Sequence, residues 1–356
     1  MAKELAHFQN FAKLKDTKVA FNDITVIAGK PGTGKSYVMK FMYAVDESLR
    51  LCNTYYDDID QKIRELLEEP FNKDIEKLLK RIDEKKPEHN IHEMLYEDFK
   101  NILKSIFVNL GQISNNFNIK FENDFVSYSN DLLEIQLDNI DMLENVIFVE
   151  TPLILEFKKF MKREKGKTPY HIESLLNVLD TDYSFTDEEQ DKFIKEFTQK
   201  SKKIIKGDIE SSGDSFIFNK EGDKNYDIVN ASSGTKSIGL LQYLVTNKAL
   251  KKGSVLYWEE PEVHLHPEWQ LKMIELFIEL MNASVKIVFS THSTFMVDSL
   301  NALSKKGDFS DRVSFNLFKE TDGIVENHIL EADKEWKLIQ DELLKSSLEE
   351  IMWQYL

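Results

Sequence analysis

Apolar residues open the chain in two short runs, Thr17–Phe21 and Ile24–Ile27, separated by the polar pair Asn22-Asp23. Such runs with turn formers between them predict either a hairpin or strand, turn, strand without pairing. A glycine-rich stretch follows Ile27, and Ser36–Ala44, free of breakers, predicts a helix. From about Tyr55 to Leu110 the period changes. Ile59, Ile63, Leu66 and Leu67 recur at helical spacing, Pro70 interrupts, and Ile75, Leu78, Leu79 and Ile82 resume the stripe. Met94, Leu95, Ile102, Leu103, Ile106 and Phe107 form a third. These are amphipathic helices of a compact lobe, and no heptad seam persists long enough for an extended coiled coil.

Strand-like segments return at Asn118–Glu122, Leu133–Leu137 and Val146–Val149, followed by a second helical stretch. Thr186 and Glu189 have capping-box spacing for a helix running to about Ile205, with Phe193, Ile194, Phe197, Ile204 and Ile205 as its apolar stripe and Gly207 as its stop. Ser215–Asn219 and Tyr226–Val229 predict a short hairpin. The final third alternates: helix Ser237–Ala249, strand Ser254–Trp258, helix Glu268–Asn282, strand Val285–Ser290, helix Phe295–Leu303. Strands that read as buried, alternating with helices, imply a parallel sheet. A hairpin of Val313–Phe318 and Ile324–Ile329 and a helical segment from Asp333 close the chain. The expected fold is α/β, with a mixed or parallel central sheet fed from both ends of the chain and helical insertions between. The expected division is a discontinuous head of residues 1–50, 118–150 and 207–335, a helical lobe at 51–117, a helical arm at 151–206 and a C-terminal helix at 336–356.

Composition narrows the chemistry. Sixty-two acidic against 46 basic side chains give a net charge of −16, a field that repels polyanions in general. The single cysteine, Cys52, excludes a disulfide framework and a multi-cysteine zinc site. No window approaches the ~20 apolar residues of a membrane span, and the first ten residues do not resemble a signal peptide. A cytoplasmic protein is expected.

Against that background one loop stands out. Gly29-Lys30-Pro31-Gly32-Thr33-Gly34-Lys35-Ser36 fits Gly-x4-Gly-Lys-Ser, with a strand before it and a helix after. Glycines let backbone N–H groups wrap phosphates at a helix N-terminus. Lys35 would reach the β- and γ-phosphates, and the Ser36 hydroxyl would hold Mg²⁺. Far downstream the strand Ser254–Trp258 ends in Glu259-Glu260-Pro261-Glu262. Paired carboxylates at a strand end suit a metal and an attacking water, Glu259 holding Mg²⁺ and Glu260 orienting or deprotonating the water. His264-Leu265-His266 beside these acids has the composition of a zinc site, but Pro267 and a helix start follow, and a nucleotide site already employs the carboxylates.

Trp258-Glu-Glu-Pro-Glu-Val-His-Leu-His-Pro267 resembles the Walker B and D-loop segment of ABC-type ATPases of the overcoming-lysogenization-defect (OLD), RecF and SMC group. Ile287-Val-Phe-Ser-Thr-His-Ser293 is similar to that group's switch-histidine strand, and Asn230-Ala-Ser-Ser-Gly-Thr-Lys236 to its signature loop. Ile205–Asp208, Phe216–Phe218 and the opening Phe8–Phe11 also fit. The four motifs stand in the family's order from residue 29 to residue 293. The resemblance implies Mg-ATP, with His292 sensing the γ-phosphate. It also implies a homodimer or larger assembly in which Ser233 and Gly234 of one subunit cap the nucleotide on the phosphate loop of another.

Three positions depart from the family pattern. Glu259 stands where Asp is usual, Pro31 where Asn is frequent, and no glutamine follows Val146–Val149, where Glu150 and Thr151 stand; Gln112 is the nearest substitute. About 60 residues of this sequence follow His292, so no TOPRIM nuclease domain is expected and any nuclease or toxin effector is expected on a separate polypeptide. Anti-phage defence is the leading role by family analogy. A RecF-like DNA-repair ATPase and a weakly hydrolysing nucleotide switch are the alternatives. A transporter ATPase is disfavoured, because the signature lacks the Leu-Ser-Gly-Gly-Gln form. The basic run Lys158-Lys159, Lys162-Arg163, Lys165 and Lys167 is either a solvated helix face or a contact for nucleic acid or an acidic partner. The apolar tail from Leu343 to Leu356 is expected to pack on its own sheet or to dock a partner.

Overall fold

A computed structural model describes residues 4–68, 87–107, 113–122, 124–130, 132–137, 143–161, 168–181, 183, 187–330 and 336–345. Its first strands are β1 (Glu4–Phe11), β2 (Leu14–Phe21) and β3 (Ile24–Gly29), followed by helices α1 (Lys35–Glu68) and α2 (Pro87–Phe107). Four more strands are β4 (Asn116–Phe121), β5 (Asp124–Ser129), β6 (Leu132–Gln136) and β7 (Val146–Val149). Helices α3 (Ile154–Met161), α4 (Tyr170–Asp180) and α5 (Glu188–Ile205) follow. Next come β8 (Gly207–Ser212), β9 (Ser215–Lys220), β10 (Tyr226–Asp227) and helix α6 (Ser233–Thr246). The last third holds β11 (Val255–Glu259), α7 (Pro267–Asn282), β12 (Lys286–Thr291), α8 (Thr294–Lys306), β13 (Val313–Thr321), β14 (Ile324–Ile329) and α9 (Trp336–Gln340).

Among the described residues the main sheet has eleven strands in the order β6-β5-β4-β1-β2-β14-β13-β3-β12-β11-β7. From β13 to β7 the pairs are parallel. Every residue of β3 and β7 is buried, as expected for strands covered on both faces. The other wing, β6 to β2, is antiparallel and alternates buried with exposed positions. This mixed α/β sheet is the fold that the strand and helix pattern predicts. Asn316 of β13 stitches the two wings. Its buried amide donates to Ala20 O and Val26 O and accepts from Ala20 N–H, at 2.9–3.2 Å.

Two apolar cores lie on the sheet. One packs α1 and α2 against the antiparallel wing, with Phe11, Phe41 and Phe117 in edge-to-face contact. The other packs α4 to α8 around Trp258, Phe277 and Phe289. Strands β8, β9 and β10 form a separate small sheet.

Several expectations change. β2 and β3 do not pair with each other; β2 pairs with β1 and β14, and β3 with β12 and β13, so the opening runs are not a hairpin. Short-range pattern could not see this, because β13 lies at the far end of the chain. β1 and β5 are strands that the pattern left unassigned. The first helix begins at Lys35 and continues to Glu68. The cap of α5 is Asp187, whose carboxylate accepts from Gln190 N–H at 2.8 Å, and Thr186 lies outside the described residues. Lys158 turns inward: it is 1% exposed, pairs with Asp180 at 2.7 Å and lies over the Phe216 ring. It therefore cannot belong to a polyanion-binding face. Lys162, Arg163, Lys165 and Lys167 fall outside the described residues, as does Gln112. Among the described residues no helix is long and apolar enough to cross a membrane.

Candidate functional site

Strands β3, β12 and β11 are parallel neighbours in register, Thr291 beside Ala28 and Glu259 beside Ser290. Their carboxyl ends therefore deliver the phosphate loop, His292 and the Glu259-Glu260 pair to one edge of the sheet, the edge where open α/β sheets bind ligands. The phosphate loop passes against β13. A Cβ on Gly29 would stand 2.5 Å from Phe318 O, so only glycine fits that approach. Gly34 enters α1 with φ +88°, again a glycine conformation. Thr33 braces the turn by donating to Lys30 O at 2.9 Å.

Lys35 is buried and its ammonium donates to Gly29 O at 2.8 Å and Lys30 O at 2.9 Å. Burial lowers its pKa to about 8, against the opposing pull of Glu260, Glu262 and Glu259. The imidazole of His292 stands next to it, Nε2 at 3.3 Å and Nδ1 at 3.5 Å from Nζ. His292 Nε2 is 2.5 Å from Glu260 Oε1. With N–H on Nε2 the ring donates to Glu260 and leaves Nδ1 as the acceptor facing Lys35. Glu260 itself takes φ +46°, and its N–H donates to Ser290 O at 3.1 Å, which ties the two strand ends together.

Glu259 lies beside Ser36, which hydrogen-bonds its carboxylate, while its Oε1 is buried without a partner among the described residues. Burial raises its pKa, with Lys40 opposing the shift and Glu150 adding to it. A carboxylate with an unsatisfied buried oxygen next to the loop hydroxyl is the donor set expected of a hard divalent cation, so Ser36 and Glu259 fit Mg²⁺. The longer Glu arm in place of Asp does not prevent this pairing. Glu150, at the end of β7, is held by Lys40 at 3.0 Å and by His171 Nε2–H at 2.8 Å, so the place where a glutamine was sought carries an ion-paired carboxylate.

Ser233 and Gly234 are the first turn of α6, not a free loop. Ser232 caps that helix, its hydroxyl accepting from Thr235 N–H at 3.1 Å. Gly234 is buried against Leu265 and Trp269. Among the described residues no hydrogen bond joins Ser233 or Gly234 to the phosphate loop of the same chain. His264 takes φ +67° in the turn after Glu262, and His266 Nδ1 accepts from Glu268 N–H to cap α7, so the His-x-His pair shapes backbone. Sequence reasoning missed Glu262, Lys40 and His171. Only Glu262 had a signal, its place in Glu-Glu-Pro-Glu.

A family profile described as "AAA domain, putative AbiEii toxin, Type IV TA system" matches residues 53–298, a span that includes Ser233, Glu259, Glu260 and His292 and begins downstream of the phosphate loop. Among solved structures, the SMC head bound to the C-winged helix domain of ScpA is 13% identical, with a TM-score of 0.52 over 95% of this chain and 100% of that one. The SMC head domain from Thermotoga maritima is 11% identical, with a TM-score of 0.47 over 93% of this chain and 100% of that one. A search of curated proteins gives no match.

Proposed function

The chain belongs to this AAA-domain family and is a P-loop ATPase of the ABC/SMC-like type, and we propose that it hydrolyses Mg-ATP at an interface between two copies to gate a separate effector. The observation that carries the reading is the convergence of Lys35, His292 and Glu260 at one sheet edge from three remote segments. In this reading Gly29, Lys30, Pro31, Gly32, Thr33 and Gly34 wrap the phosphates and Lys35 leaves its loop carbonyls for the β/γ oxygens. Ser36 and Glu259 hold the metal, which when bound neutralises phosphate charge. Glu260 orients the attacking water and takes its proton. His292 turns its Nε2–H from Glu260 toward the γ-phosphate, which frees the carboxylate for the water.

The cap is proposed to come from Ser233 and Gly234 of a second copy, since helix α6 presents an N-terminus suited to anions and does not reach its own loop. Head and lobes would divide as the sequence pattern suggests, the helical segments carrying the nucleotide state to a nuclease or toxin. Anti-phage defence is the proposed setting, and a cytoplasmic one. Turnover of Mg-ATP by the wild type and by Glu260→Gln tests the site. Phage challenge of cells carrying either form with the neighbouring reading frames tests the role. Wild-type turnover by Glu260→Gln would remove the catalytic assignment, and equal protection by both would remove the gating.

A further inference from the structure

Glu262 sits just past the Glu260-Pro261 corner. Its Oε1 accepts two hydrogen bonds of 2.7 Å, one from the Thr291 hydroxyl and one from the backbone N–H of His292. Thr291 Oγ1 in turn accepts from Ser293 N–H at 2.9 Å. Thr291, the last residue of β12, and His292 are thus tied directly to one carboxylate oxygen, and Ser293 to it through the Thr291 hydroxyl. The last rung of the ladder is at Thr291, so the His292 peptide lies beyond it and the carboxylate supplies the bond that the sheet does not. The second oxygen, Oε2, is buried and has no partner among the described residues. An acid kept in this setting costs stability, which is tolerated where the side chain has a task.

We propose that Glu262 is a positioning residue: by gripping Thr291 and the His292 peptide it aims the imidazole at Glu260 and Lys35, and so sets the geometry for hydrolysis without touching nucleotide. The inference rests on the proposed roles of His292 and Glu260. Small displacements of a reacting group are costly, on the order of 100-fold for 1 Å, and a peptide freed from its acceptor allows shifts of that size.

Steady-state kinetics and a double-variant cycle on the full chain provide the test. Glu262→Ala should lower kcat about 10- to 100-fold with little change in KM or in ATP affinity by calorimetry. Glu262→Gln, which keeps an accepting oxygen at the same reach, should recover most of that loss. In a His292→Ala background Glu262→Ala should add almost nothing, because it acts through that residue. Should Glu262→Ala fail to fold, Thr291→Val weakens the same grip with little change of volume and should show a smaller kcat loss that also vanishes in the His292→Ala background. Losses that multiply in the double variant, or a Gln variant as poor as Ala, would overturn the proposal. Glu260→Gln is the reference: if it turns over normally, the catalytic reading fails. If it is inactive while the Glu262 and His292 losses multiply, only the positioning role fails.

Discussion

His292 and Glu260 stand 32 residues apart in the sequence, yet Nε2 of one lies 2.5 Å from Oε1 of the other across the ends of two neighbouring parallel strands. The pair is held on both sides by backbone: Glu260 N–H is bonded to Ser290 O, and His292 N–H to Glu262. A carboxylate fixed in this way, in a φ that side chains rarely adopt, is poised for one orientation of a water. Replacing it with Gln keeps the size and removes the base. Glu260→Gln should leave ATP affinity within a few-fold and lower turnover by about 100-fold or more, measured by phosphate release.

Lys35 is the buried cation of the phosphate loop, held by two carbonyls of that loop. Lys35→Ala removes the main positive charge offered to the β/γ oxygens. A charge-assisted hydrogen bond contributes about 1.5–3 kcal/mol, so ATP affinity by calorimetry should fall about 10- to 100-fold. Unchanged affinity would show that nucleotide binds elsewhere.

The composite site can be tested by mixing subunits. Gly234 is a poor place for the cap-breaking substitution, because a Cβ there would meet Trp269 at 3.2 Å and Leu265 at 3.3 Å. Ser233, at the first turn of α6, accepts a carboxylate without harm to its own fold, since acidic groups favour a helix N-terminus. Ser233→Asp should therefore fold, yet face a γ-phosphate with like charge. Alone, neither Ser233→Asp nor Lys35→Ala should hydrolyse ATP. Mixed, one site of the heterodimer pairs a sound loop with a sound cap, and activity should return to about a quarter of the wild-type rate if subunits exchange freely, a random-mixing estimate for a two-fold dimer. No recovery after demonstrated exchange would favour a self-contained site.

Acid should destabilise the fold through Glu150 and His171. The hydrogen bond from His171 holds Glu150 at about 2, below its ordinary 4.5, with Lys40 helping and burial opposing. Burial holds His171 below its ordinary 6.5. In both cases the unfolded chain takes up a proton that the folded chain refuses, so the stability is present above 6.5. It is lost in stages, His171 first, then Glu150 below 4.5 towards 2. Thermal melts from pH 7 to 3 should show a falling Tm, and His171→Phe, which removes the His171 effect and the largest part of that on Glu150 but leaves its Lys40 pair, should reduce that fall. An unchanged acid slope in the variant would place the sensitive groups elsewhere.

How the site came to be legible differs from element to element. Gly29–Ser36 could be read from the sequence because its chemistry is local: glycine spacing, a lysine and a hydroxyl suffice to wrap phosphate, and the flanking strand and helix lie within twenty residues. Glu259-Glu260 follow a mostly apolar run that predicts a strand, whereas the role expected of His292 came from the resemblance of Ile287–Ser293 to a switch-histidine strand. The alternation of apolar strands with helices in the last third likewise specified a parallel sheet.

What the sequence could not supply was adjacency. That β13 pairs with β3 across nearly the whole chain, that β2 turns away from β3, and that β12 lies between β3 and β11 are results of packing two apolar cores on one sheet. Only this order brings Lys35, His292 and Glu260 within hydrogen-bonding distance. The inward turn of Lys158 towards Asp180, the grip of Glu262 on Thr291 and His292, and the pairing of Glu150 with His171 have no local pattern, because each depends on a partner from another element. Residue type and spacing determined which groups could do the chemistry. The tertiary structure decided which of them meet, since burial rewards a polar side chain only where a distant partner satisfies it.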